Sequence, residues 1–268
     1  MQIYDLHVHT KLSNCADRNA EASEYITLAS EYEFAALGFT DHAWDSPRIS
    51  GATDWYKRQP YERILECNYA RDGKELPIFR GAEGEYASYL LGVTEETIKK
   101  LDYIIIPHSH IHMKNFVISS TFDTPDKKAQ FLLNSFVSLC KTSEARYIFG
   151  IAHPFFPCGV SRDELDEIMS HLKVSDMLAA FEIARKNEIF IEFNTSCFNI
   201  LPNDAENYSY SKIMRLAKKA GCQFFLGSDR HNSSRKSCEE FVRLSKNIVP
   251  SGLCESDFTS ALSHILNA

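Results

Sequence analysis

The chain of 268 residues has no run of about 18 apolar residues, the length a membrane-spanning helix needs. Its first residues, Met1-Gln2-Ile3-Tyr4-Asp5, have neither a basic nor an apolar leader character, so the expectation is a soluble, cytoplasmic protein with no membrane partner. No Cys-x-x-Cys pair occurs among the eight cysteines (Cys15, Cys67, Cys140, Cys158, Cys197, Cys222, Cys238 and Cys254), which argues against a zinc ribbon and a compact disulfide framework. Dense Lys/Arg runs are also missing. With 29 basic against 36 acidic side chains the net charge is −7, so no broad nucleic-acid-binding surface is expected. Repeats, low-complexity tracts and Pro/Gly/Ser-rich linkers are absent, so residues 1–268 read as one domain. Nothing in the sequence fixes an oligomeric state.

What is present is an ordinary folded composition, 44% hydrophobic and 24% charged, in which short β-rich runs alternate with amphipathic segments. Seven strands are predicted, at Ile3–Val8, Ala36–Thr40, Ile78–Glu83, Tyr103–Pro107, Tyr147–Ala152, Phe190–Asn194 and Phe224–Ser228. They are mostly continuous apolar runs, as parallel strands buried on both faces require. Helices are predicted at Ala20–Tyr32, Asp126–Lys141, Ser175–Lys186, Tyr208–Ala220, Ser237–Ile248 and Asp257–Leu266. Seven consecutive β/α units predict an α/β fold, a closed or nearly closed barrel rather than an open sheet. The segment at about 43–76, polar and carrying Trp44, Pro47, Trp55 and Pro60, reads as a long excursion after the second strand, in the manner of a lid.

Of ten histidines, eight fall in short motifs at the C-terminal ends of those strands. The ends read Asp5-Leu6-His7-Val8-His9, Thr40-Asp41-His42, Gly81-Ala82-Glu83-Gly84-Glu85, His108-Ser109-His110, Ala152-His153-Pro154, Glu192-Phe193-Asn194 and Gly227-Ser228-Asp229-Arg230-His231. In a parallel barrel these ends share one face, where active sites of this architecture lie. Residues two apart on a strand point the same way, so His7 and His9 reach one ion, and Asp229 with His231 repeats the pattern. Imidazole mixed with carboxylate suits Zn²⁺, Mn²⁺ or Fe²⁺, and the donor set exceeds what one four- to six-coordinate ion needs. Two or three divalent transition-metal ions are therefore expected. Each motif alone is unremarkable; their common position at seven strand ends is what carries the expectation.

As an ordered set over residues 1–231, these motifs resemble the PHP (polymerase and histidinol phosphatase) family. The resemblance implies a distorted seven-stranded, TIM-like (β/α) barrel, up to three metal ions and hydrolysis of small phosphomonoesters such as histidinol phosphate. It implies His7, His9, Glu83 and Asp229 at a first ion, Glu83 bridging to a second held by His110 and His153, and His42 with His231 at a third. His108 and His112 compete with His110; Ser109 before His110 favours the latter. The third ion lacks its usual first-strand ligand, and Cys15 or Asp17 in Ser13-Asn14-Cys15-Ala16-Asp17 would fill that place.

The expected reaction is attack on phosphorus by a hydroxide bridging two cations, with the ions neutralising the phosphoryl oxygens. Glu83, Asp229 and His231 form the catalytic set, with Asp41 orienting His42 or His9. A phosphate dianion also needs a cationic grip, for which Arg162, Arg230, Lys114 and Arg235 are candidates, with Asn194 at the same mouth. Arg162 leads, in a loop after His153-Pro154; strand alternation counts against Arg230. The alternatives are a phosphodiesterase or exonuclease on nucleotides or short oligonucleotides, with Trp44, Trp55 and Tyr56 to stack bases, and, less favoured, an amidohydrolase. The latter commonly has a carboxylated lysine where the fourth strand here ends in histidines. A partner-binding module without activity is disfavoured by the completeness of the donor set.

Overall fold

Seven short, almost wholly buried runs pair in parallel in the order in which they occur along the chain. They are β1 (Asp5–Val8), β2 (Leu37–Phe39), β3 (Ile78–Glu83), β4 (Tyr103–Pro107), β5 (Gly150–Ala152), β6 (Phe190–Asn194) and β7 (Phe224–Gly227). The computed structural model describes residues 2–45, 53–66, 76–198 and 202–267. Beyond its strand, β7 curls back onto β1. His9 N donates to the carbonyl of Arg230 at 2.9 Å and Asp229 N to that of His7 at 2.7 Å. Lower on the same seam the Asp5 carboxylate accepts from Ser228 N at 2.9 Å, filling in for a ladder bond. The result is a nearly closed, distorted (β/α)7 barrel.

Its interior is filled by side chains, as in barrels of this size. The Tyr103 hydroxyl crosses to donate to Leu6 O at 2.8 Å, and a Cβ at Gly38 would stand 2.1 Å from that oxygen, so only glycine fits there. Seven longer helices surround the strands: α1 (Ala22–Glu31), α2 (Pro125–Lys141), α3 (Arg162–Ser170), α4 (Val174–Lys186), α5 (Ser209–Lys219), α6 (Arg235–Leu244) and α7 (Ser256–Asn267). On α2, Ala129, Leu132, Phe136 and Leu139 recur at helical spacing and are buried. The Phe136 ring stacks on Phe155 with centroids 5.0 Å apart. Truncating a fully buried phenylalanine of this kind costs about 3–5 kcal/mol. Among the described residues no helix is long and apolar enough to cross a membrane.

Two local differences from the sequence reading matter. Tyr147 belongs to a 3-10 turn (Ala145–Tyr147), so β5 is only Gly150–Ala152. Arg162 opens α3 rather than lying in a loop: Ser161 accepts from Glu164 N at 3.1 Å, a capping arrangement that Ser-x-x-Glu spells in the sequence. Of the excursion between β2 and β3, residues 46–52, with Pro47, and 67–75, with Cys67, lie outside the described residues. The described part returns to the barrel mouth through short helices Asp54–Lys57 and Glu62–Glu66. Arg63 straps it down by donating to the carbonyls of Leu12 and His42.

Candidate metal centre

At the C-terminal mouth the Glu83 carboxylate stands at the centre of a ring of imidazoles. Its Oε2 lies 3.6 Å from His7 Nε2, 3.3 Å from His9 Nε2 and 3.3 Å from His42 Nδ1. Its Oε1 lies 3.2 Å from His153 Nε2 and 4.0 Å from His110 Nε2. Asp229 Oδ1 sits 3.5 Å from His7 Nε2 and 3.4 Å from His9 Nε2. Asp229 takes a left-handed backbone (φ 55), so the Asp229-x-His231 pair is not set by strand alternation; the chain has left the sheet at Gly227.

Five of these histidines are oriented alike. His7 Nδ1 lies 2.7 Å from Glu192 Oε1, His110 Nδ1 2.7 Å from Glu85 Oε2, and His231 Nδ1 2.8 Å from the carbonyl of Asp229. His153 Nδ1 lies 2.8 Å from Ser109 Oγ, whose proton goes to the His153 carbonyl. Ser13 gives its proton to Asp41 Oδ1 at 2.7 Å, so its lone pairs accept from His42 N and from His9 Nδ1 at 3.1 Å. In every case the Nδ1 proton is spoken for and the Nε2 lone pair is turned inward, the arrangement of metal-binding imidazole. His7 Nε2 and His9 Nε2 approach to 3.1 Å, close enough for one cation to take both. His42 differs, presenting a buried Nδ1 that makes no hydrogen bond. This orphaned nitrogen and the inward-turned imidazoles around the buried Glu83 and the partly exposed Asp229 fit divalent cations.

Electrostatics agree. Burial favours the neutral form of Glu83, but the charge of His7 and hydrogen bonds from His153 and His7 outweigh it and hold its carboxyl well below the usual range; Asp229 is lowered against burial by His7 and His9. Burial lowers His9, yet hydrogen bonds to Asp229 and Glu83 carry it up to about 9. For His7 the carboxylates of Glu192, Asp229 and Glu83 likewise overcome burial. His42 is lowered well below the histidine range by burial.

The residues between which the sequence leaves a choice occupy different places. His108 is buried away from the cluster, where Nε2 accepts from Phe155 N at 2.9 Å, while His110 faces Glu83 and His112 lines the cavity beside it. Cys15 comes together with His9 and His231, their donor atoms all within 4.8 Å. Asp17 does not: its carboxylate accepts from Asn19 N at 2.9 Å. Asp41 reaches His9 only through Ser13 and also binds Thr10 N and Oγ1 at 2.7 and 2.8 Å. Asn194 Nδ2 lies 3.2 Å from Glu192 Oε2 and 3.4 Å from Asp229 Oδ2, behind the cluster. The sequence reading missed Glu85 and left Glu192 without a role. A Cβ at Gly227 would stand 2.0 Å from Glu192 Oε1 and 2.7 Å from the His7 Cβ, so the glycine makes room for that support.

Solved structures that match this architecture include two that align over most of both chains. The histidinol phosphate phosphatase of Lactococcus lactis, complexed with zinc, L-histidinol and phosphate, aligns at TM-score 0.59 and 16% identity over 94% of this chain and 95% of that one. A structure from Listeria monocytogenes, provisionally assigned as a histidinol phosphatase, aligns at TM-score 0.63 and 18% identity over 86% and 96%. The chain has the fold of histidinol phosphate phosphatases. A solved amidohydrolase aligns at TM-score 0.48 and 10% identity over 99% of this chain and 74% of that one. No protein-family model matches the chain, and no curated protein does.

Within this histidinol phosphatase fold a cavity of about 690 Å³ opens onto Glu83, Asp229 and the histidines. Its outer wall is apolar and aromatic, from Trp55, Tyr56, Met113 and Phe116, so the excursion supplies two of the rings. Lys114 is the one Lys or Arg lining it among the described residues. The three arginines expected at the phosphate do not line this cavity, although Arg230 borders an adjoining one with Asp229 and His231. Arg230 is buried against Asp5 at 3.2 Å, its guanidinium between the rings of Tyr25 and Phe241. Arg235 is exposed and paired with Glu31 at 2.6 Å, and Arg162 lies over the Tyr208 ring at 5.3 Å.

Proposed function

We propose that the protein is a metal-dependent hydrolase of small phosphomonoesters, with histidinol phosphate a candidate substrate, working with two or three divalent ions of the Zn, Mn or Fe class. The observation that carries the reading is the set of imidazoles whose Nδ1 atoms are all tied to oxygens while their free nitrogens converge on Glu83 and Asp229. His7, His9, Glu83 and Asp229 would hold the first ion, Glu83 with His110 and His153 the second, and His42, His231 and Cys15 the third. Ions there would polarise a phosphoryl oxygen and bring the pKa of water toward neutrality.

The protein's own contribution is order. Glu192, Glu85, Ser109 and the Asp41–Ser13 pair fix the imidazole tautomers, and Asn194 steadies Asp229. Trp55 and Tyr56 line the cavity with apolar ring surface, and a substrate seated against them would lower the local dielectric and strengthen the charge interactions inside. Lys114 is the group suited to a phosphoryl oxygen at the cavity rim.

A second reading, a phosphodiesterase on nucleotides, draws on the same cavity: one lysine and the Trp55 ring suit the monoanionic phosphodiester and a flat base, whereas Trp44 and Tyr56 are buried against one another and offer no face to stack on. Zinc- or manganese-reconstituted protein, tested on histidinol phosphate, a bis-aryl phosphodiester, a short oligonucleotide and an N-acyl amino acid, distinguishes these. Metal-dependent phosphate release from the monoester is expected. Turnover of the diester or oligonucleotide alone favours the second reading, and amide cleavage or no turnover by the metal-loaded protein rejects both.

A further inference from the structure

The loop after β5 carries a cysteine that the phosphatase reading does not use. The Cys158 Sγ and one ring nitrogen each of His110 and His153 lie within 4.8 Å of one another, on the side of Glu83 away from His9 and His42. We propose that Cys158 is a thiolate ligand of the second metal ion, completing a His110, His153, Glu83 and Cys158 set. The inference rests on the metal-centre reading above and deepens it by assigning the metal's class.

Several features place the sulfur there. His153 (φ 28), Phe155 (φ 57) and Gly159 (φ 80) take left-handed conformations that turn the loop back on itself. His108 pins the turn through Phe155 N at 2.9 Å, and Phe136 and Phe181 enclose the Phe155 ring. The imidazoles are already oriented: Glu85 and Ser109 hold the Nδ1 atoms of His110 and His153, leaving Nε2 of each for the ion. Cys158 also lines the cavity that opens onto Glu83, so the thiol stands where an ion would meet it. Two nitrogens, one carboxylate oxygen and one sulfur form a set that zinc accepts with tetrahedral geometry. A soft thiolate disfavours Mn²⁺ and Mg²⁺ relative to Zn²⁺ or Co²⁺. The second site should therefore be more zinc-selective than the first, whose nitrogen and oxygen ligands include no sulfur.

Cobalt reports thiolate ligation directly, through a sulfur-to-metal charge-transfer band in the near ultraviolet. Because Cys15 adjoins the third site, the comparison is between Cys15→Ser and Cys15→Ser/Cys158→Ser proteins, each loaded with Co²⁺ and analysed for cobalt content. The band is expected in the first and absent from the second, with zinc affinity of one site falling by at least ~10-fold, the lower end of losses seen when mere supporting groups are removed. Bound cobalt without a band in Cys15→Ser overturns the assignment of Cys158 and leaves the metal centre standing. Failure of the unaltered protein to bind cobalt or zinc overturns the metal centre itself. Should the double variant not fold, alkylation of the unaltered protein by iodoacetamide decides the question. Cys158 is expected to be protected by zinc and released by a chelator, and an equal rate in both states rejects the proposal.

Discussion

Glu192 on β6 grips the imidazole of His7 on β1, Oε1 to Nδ1 at 2.7 Å, while its other oxygen accepts from His153 N at 2.6 Å. One buried carboxylate thus supports a residue of the first proposed ion site and the backbone beside the second. Glu192→Gln keeps the shape but presents an amide donor to one of these partners. Metal affinity is expected to fall about 10–100-fold with the fold retained. Titration against a chromophoric chelator, beside circular dichroism, measures both; unchanged affinity would show that His7 needs no such support.

Glu83→Ala should remove activity and lower metal content together, because the carboxylate faces both halves of the centre. Elemental analysis of reconstituted variant and unaltered protein is the check. Full metal content with full activity would exclude Glu83 as a bridge.

The pH dependence of stability should change sign with metal. In the metal-free protein His9 is raised from 6.5 to about 9, so its contribution is fully present below pH 6.5 and is lost as pH rises through about 9. Metal competes with those protons, so the loaded protein should instead gain stability across that window and release protons on loading. Thermal unfolding of stripped and zinc-loaded protein over the window tests this; parallel profiles would argue against His9 as a ligand.

Among the four cations expected at the phosphate, only Lys114 lines the cavity, so Lys114→Ala should raise KM for a phosphomonoester several-fold with metal content unchanged. Arg162→Ala and Arg235→Ala should leave KM alone, since their side chains lie on Tyr208 and Glu31. Initial-rate kinetics on the three variants give the answer.

Arg230 is expected to serve the barrel instead. Replacing one member of the buried Asp5–Arg230 pair, by Asp5→Asn or Arg230→Met, should cost about 3–5 kcal/mol, and the double variant less than the sum. Urea unfolding provides the comparison.

The barrel was legible because parallel strands buried on both faces announce themselves as apolar runs, and because histidines gathered where those runs stop. The sequence favours His110 over His108 on the preceding Ser109 alone; what distinguishes their places, a ring turned to Glu83 and a ring that receives the Phe155 amide, comes from contacts with distant strands and loops. The role of Arg230 was only half legible. Alternation turned it from the cluster, but its partner Asp5 lies at the far end of the chain and leaves no local signal. Glu85 and Glu192 act through contacts spanning 25 and 185 residues, beyond the reach of any spacing rule. The place of Arg162 on α3 is legible locally, since Ser161 and Glu164 spell a helix start and outweigh the loop suggested by the neighbouring Pro157 and Gly159.

The seam where Asp229 N meets His7 O gives the barrel a temporal property as well as a shape. The first strand cannot meet its last neighbour until nearly the whole chain has been made, because more than 200 residues separate them. Bringing such distant segments together is the slow part of assembly. A partial fold therefore holds His7 and His9 without Asp229, half a claw. Ions caught at the mouth would join the two sides only once the ring is shut, acting as a latch that slows unfolding and leaves the rate of assembly untouched.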